Sequence, residues 1–102
     1  MNKITISGTD YTLKFGFNSL IEMEDDTGVP MEKMSEVMGG LKVALTMFTY
    51  AIKHQVPDIT TTQAGDLIDA YLDEGGTIDK LSETLKKAME RFSGGNAMPK
   101  KK

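Results

Sequence analysis

Polar and apolar residues alternate at the start of the chain. Ile4 and Ile6 are interleaved with Lys3, Thr5 and Ser7, and Tyr11, Leu13 and Phe15 with Thr12 and Lys14. A period of two puts one apolar row on one face of each strand. Gly8-Thr9-Asp10 between the two runs supplies residues suited to a turn. The pattern therefore predicts a β-hairpin over about residues 2–16. A lone hairpin is marginal in water, so the row Ile4, Ile6, Leu13 and Phe15 is expected to cover a helix.

From Phe17 the period becomes helical. Leu20, Ile21 and Met23 follow Asn18 and Ser19, and Ser19 with Glu22 fits a capping box. Gly28 supplies a left-handed stop, and Pro30 suits the first turn of a second helix carrying Met31, Met34, Val37 and Met38. Gly39-Gly40 then breaks or kinks the chain. The next segment is the most apolar. Leu41, Leu45, Phe48 and Ile52 form one stripe and Val43, Met47 and Tyr50 a second, the pattern of a central helix touched on several sides. Val56-Pro57 marks its end. Thr60 and Gln63 repeat the capping-box pattern before Ala64, Leu67, Ile68, Tyr71 and Leu72, and Gly75-Gly76 ends that helix. Thr77 is placed to cap a last helix with Ile78, Leu81, Leu85, Ala88, Met89 and Phe92 on one face.

The expected fold is α+β and mainly helical, an N-terminal β-hairpin followed by four or five α-helices. The helices are placed at about 18–27, 30–38, 41–54, 61–74 and 78–93. Residues 1–94 form one domain, and 95–102 a flexible basic C-terminal tail that can bury nothing.

Composition narrows the chemistry. There are no cysteines among the 102 residues, which removes disulfides, thiolate metal sites and cysteine nucleophiles. Met1 leads into alternating residues rather than an apolar run, so no signal peptide is expected. No apolar run reaches the roughly 18 residues of a membrane span, so the chain is expected to be cytoplasmic. The net charge is -3, and without Lys100, Lys101 and Lys102 it is -3 - 3 = -6. An acidic body lacks the basic face that nucleic acid requires.

Catalytic groups do not converge in the sequence. His54, the single histidine, falls near the end of the central helix, where a cation is favoured and a capping or surface role is the expectation. Glu22, Glu24, Asp25 and Asp26 lack calcium-loop spacing and read as a solvated acidic face, or as a patch that meets a basic partner. The glycine pairs punctuate helices and carry neither a phosphate-loop pattern nor a nucleophile elbow. No enzyme, cofactor or metal is expected. The eight methionines suit irregular cores and adaptable grooves. Met31, Met34, Val37 and Met38 are either core or a partner-facing patch, and Met47 and Tyr50 are second candidates for that patch.

The order of motifs resembles a known family. Lys3-Ile4-Thr5-Ile6-Ser7-Gly8, then Tyr11 through Glu24 with a Leu-Lys-Phe-Gly-like strand end and a Leu-Ile-Glu-x-Glu-like helix, then Thr27-Gly28, is similar to the N-terminal signature of phage tail assembly chaperones. Phe48, Tyr50 and Ala51, the run Asp66 to Leu72, and Glu74-Gly75-Gly76 extend the resemblance over roughly residues 2–92. It implies a protein that binds the tape measure protein, with the major tail protein as a further partner. Such a protein would self-associate, work in the host cytoplasm and be absent from the mature virion. In the family, a longer form often arises by ribosomal frameshifting near the end of the first frame. The alternatives are a small structural tail or head–tail connector protein, and a small regulatory binder such as an antitoxin.

Overall fold

A computed structural model describes residues 2–30, 33, 36 and 40–93 of the chain. The N-terminus is an antiparallel hairpin of β1 (Lys3–Ile6) and β2 (Thr9–Thr12), with Ile4 opposite Tyr11 and Ile6 opposite Thr9. Four helices follow among the described residues: α1 (Phe17–Thr27), α2 (Leu41–Ile52), α3 (Thr61–Asp73) and α4 (Ile78–Ser93). This is the α+β, mainly helical architecture that the pattern predicts. The expected helix over 30–38 and the tail at 95–102 lie outside the described residues, apart from a few positions of the former. No described helix is long and apolar enough to cross a membrane.

The hairpin turns one residue earlier than Gly8-Thr9-Asp10 suggests. Ser7 and Gly8 are its two central residues, at φ 51° and 81°. Positive φ at both positions is the signature of the type I′ turn, whose twist matches the strands it joins. Thr9 and Asp10 are therefore strand residues. Opposite Asp10, the Thr5 hydroxyl donates to its carboxylate at 2.7 Å, and Lys3 Nζ lies 3.5 Å away. The Thr5 hydrogen bond first, then the Lys3 charge, holds the Asp10 carboxyl below the usual carboxylate range.

Pairing with β1 ends at Thr12, short of the expected strand end at 16. One further rung follows before the chain bonds to a helix. The Leu13 amide donates to the Asn2 carbonyl at 2.6 Å, and the Lys14 amide to the Ala51 carbonyl at 2.9 Å. Ala51 is in the last turn of α2, whose carbonyls have no partner within their own helix. The hairpin is thus bonded to the end of the central helix, and Ile4, Ile6, Leu13 and Phe15 are all buried against the helices, as their alternation predicts.

Helix α2 is the hub, touched by β2, α1, α3 and α4. Every residue from Met47 to Ile52 is buried, Thr49 among them. The Thr49 hydroxyl donates to the Leu45 carbonyl at 2.8 Å, so its burial leaves no unmet polar group. Helix α2 stops at Ile52 rather than 54, and the Ile52 carbonyl accepts from the amides of both Gln55 and Val56.

The caps divide into two kinds. At α3 the Thr60–Gln63 box forms as expected, with reciprocal bonds of 3.1 and 3.0 Å. At α4 the Thr77 hydroxyl accepts from the Lys80 amide at 3.1 Å. Gly28, at φ 70°, ends α1 as expected. The Ser19–Glu22 box does not form. The N-cap of α1 lies three residues earlier, at Gly16, which makes no side-chain bond, and the helix begins at Phe17. The buried Phe15 fixes where the chain must turn, and the helix starts as soon as that residue is anchored.

Candidate partner-binding groove

The two halves of α2 differ. Its C-terminal half is closed over on every side, whereas its first turns border a groove of about 460 Å³ between α2, α3 and the start of α4. Leu41, Ala44 and Leu45 form one wall and Gly65, Ile68 and Leu72 of α3 the other, with Ile78 and Leu81 of α4 at the end. Leu41 is 72% exposed and Leu72 38%. Both belong to apolar stripes that the sequence reads as helix faces turned to a core. The described elements leave both partly uncovered, so the stripes run out of the core onto the surface of the groove. Asp66 and Asp69 stand exposed on the α3 side, with Thr61 and Thr62 at its N-terminal end.

A concave apolar surface with a few polar groups at its edge is the geometry of a binding site. The groove contains no catalytic constellation. It holds no histidine, and among the described residues no group of three histidines or carboxylates is placed to hold a metal ion. A second exposed apolar pair, Phe17 (70%) and Ile21 (46%), lies one turn apart on α1.

The residues singled out in the sequence fall elsewhere. Met31, Met34, Val37 and Met38 lie outside the described residues. Met47 is fully buried and Tyr50 is 8% exposed, so the folded chain gives neither a surface to offer a partner. Met47 and Tyr50 belong to the core, Val43 packs against it, and the Tyr50 hydroxyl reaches Asp26 of α1. His54 is exposed, and its Nε2 lies 2.7 Å from the Thr12 carbonyl. Beside it, the Gln55 side chain donates to the Asp10 carbonyl at 2.8 Å and accepts from the Thr12 amide at 3.2 Å. These two side chains bond the outer edge of β2 as a neighbouring strand would.

Tyr50 has a polar role at the edge of this core. Its hydroxyl donates to the Asp26 carboxylate, and Lys53 Nζ lies 4.5 Å from its ring centroid. Burial, then the bond to Asp26, then the charges of Asp26, Glu22 and Asp25 push the phenol up to about 12. The fold favours the neutral phenol. That contribution is complete below the ordinary tyrosine value of about 10 and is lost as pH rises toward about 12. Tyr50→Phe is therefore expected to remove a tyrosinate step near pH 12 from the ultraviolet titration and to flatten the fall of stability above about pH 10. A removed step centred at about 10 contradicts this assignment.

Glycine 65 is the groove residue that pattern reading passes over. Its signal is a glycine in the interior of a well-capped helix, where that residue is a poor helix former. No family model matches this chain, and neither a curated protein nor a solved structure matches it.

Proposed function

We propose that this protein is a tail assembly chaperone of a long-tailed phage or prophage. It binds the tape measure protein, shields that protein's hydrophobic segments and assists assembly of the tail tube. Two supports are independent of each other. One is the resemblance of the hairpin and first helix, Lys3 to Gly28, to the family's N-terminal signature. The other, and the observation that carries the reading, is the unfilled apolar groove with Leu41 72% exposed.

Shielding follows from the physics of that groove. An apolar helical segment laid into it removes its own surface and that of Leu41, Leu45 and Leu72 from water. Several weak sites on several copies add along a long partner through effective concentration. The acidic body, -6 without the three terminal lysines of a chain at -3, keeps such copies soluble.

Leu41→Lys with Leu72→Lys tests the reading. Both side chains are exposed, so the fold is expected to change by no more than about 0.5 kcal/mol. Binding to the tape measure protein is expected to fall about 10- to 100-fold, because the two most exposed apolar side chains of the groove become charged. Co-purification with a co-expressed tape measure protein, read beside a denaturation curve, separates the two effects. Undiminished binding by the folded variant rules the groove out. Finding the protein as a stoichiometric part of purified virions rules out the chaperone role in favour of a structural one.

A further inference from the structure

Gly65 lies in the interior of α3, and the fold gives no reason for it. Its φ is not positive. A Cβ built there meets Leu45 Cδ1 at 3.9 Å, an ordinary contact, so alanine fits. What glycine leaves is a low place in the groove wall, beside Leu45 and Ile68. Such a place lets a second backbone approach closely.

The rim carries a second feature. Asp66 and Asp69 are exposed, and among the described residues neither has an ion-pair partner. Among the described residues, none that lines the groove is basic. An apolar floor under an unbalanced negative rim complements an apolar ridge flanked by cations.

We infer that the groove takes one amphipathic helix of a partner, its apolar ridge flanked by lysine or arginine, seated with its backbone over Gly65 and its cations against Asp66 and Asp69. This rests on the groove being the partner surface, and it adds the chemistry of the occupant. The α3 wall from Thr61 to Leu72 is about 17 Å long at 1.5 Å per residue, which fits about three turns of the occupant. A helix that short is marginal when free, so it forms on binding or belongs to a longer one.

Three labelled peptides of about 14 residues provide the test, sharing a leucine–alanine ridge and flanked by lysine, glutamine or glutamate. Titrated with the full chain at low salt, the lysine peptide is expected to bind about tenfold tighter than the glutamine peptide, and the glutamate peptide most weakly. Asp66→Lys with Asp69→Lys reverses that order. Gly65→Ala raises Tm by about 2–8 °C while weakening the lysine peptide about tenfold, a split that damage to the fold does not produce. Equal affinities for the three peptides overturn the inference, as does unchanged peptide binding by Gly65→Ala. In either case the groove stands as the partner surface if Leu41→Lys with Leu72→Lys still weakens binding to the tape measure protein. If no peptide binds, the groove reading fails with it. Two other occupants also overturn the inference. One is the chain's own terminus, revealed if the triple change Lys100→Gln, Lys101→Gln and Lys102→Gln tightens peptide binding. The other is a second copy, revealed by a sedimenting dimer that Asp66→Lys with Asp69→Lys dissociates.

Discussion

Replacing Phe48 with alanine is expected to lower the unfolding free energy by about 3–5 kcal/mol, the cost of removing a large ring from a closed core. Phe48 is fully buried at the middle of the helix that β2, α1, α3 and α4 all contact. The void opens where several elements meet, and no single one of them can move in to fill it without leaving the others. Small domains are held by only about 5–15 kcal/mol, so this one change removes a large part of the total. In urea the midpoint is expected to fall by about 1–5 M with the slope unchanged. A loss below about 1 kcal/mol would mean that the ring does not sit where four elements converge.

Gly76→Ala is the second large effect, and it acts through shape rather than lost area. The Gly76 amide donates to the Tyr71 carbonyl at 2.9 Å, which folds the α3–α4 connection back over the Tyr71 ring. A Cβ at Gly76 would fall 2.5 and 2.6 Å from the two Cε atoms of that ring, and closer still to Cζ. Tyr71 is 8% exposed, so the ring has little room to swing away. The expected cost is about 1–3 kcal/mol, the range for overfilling a packed site. Pairing the change with Tyr71→Leu checks the cause. The double variant is expected to lose less than the sum of the singles, because the clashing atoms are gone. Strict additivity would place the cost in the backbone of Gly76 instead. The contrast with Gly65 is direct: alanine strains one glycine of α3's neighbourhood and relaxes the other.

Much of this architecture is legible in residue order because its signals are local. Alternation at Ile4, Ile6, Leu13 and Phe15, the Thr60–Gln63 box, the Thr77 cap and the left-handed stop at Gly28 depend on residues a few positions apart. The misplaced features depend on distant partners. Ser19 and Glu22 have the spacing of a cap, but the start of α1 is set by Phe15, which is anchored in the core. The ladder with β1 closes on the Leu13–Asn2 rung, and Lys14, whose amide faces the same outer edge as that of Thr12, is held by Ala51 of α2 instead. The groove was the least legible part. Periodicity shows that Leu41, Leu45 and Leu72 share apolar faces, but a face reads the same whether or not a neighbour covers it. The same ambiguity made Met47 and Tyr50 look like surface candidates, although both belong to the core.

The anchors of the hairpin also set an order in time. It leaves the ribosome before the helices, yet the carbonyl that holds Lys14 belongs to Ala51, and the carboxylate that holds the Ser7 amide at 3.0 Å belongs to Glu74, 67 residues later. At about 5–20 residues per second, the last of these anchors is made roughly 3–13 seconds after the turn it will hold. Until α2 and α3 have been made, Ile4, Ile6, Leu13 and Phe15 have only part of their cover. The growing chain is therefore for some seconds a client of the kind its finished form is proposed to protect.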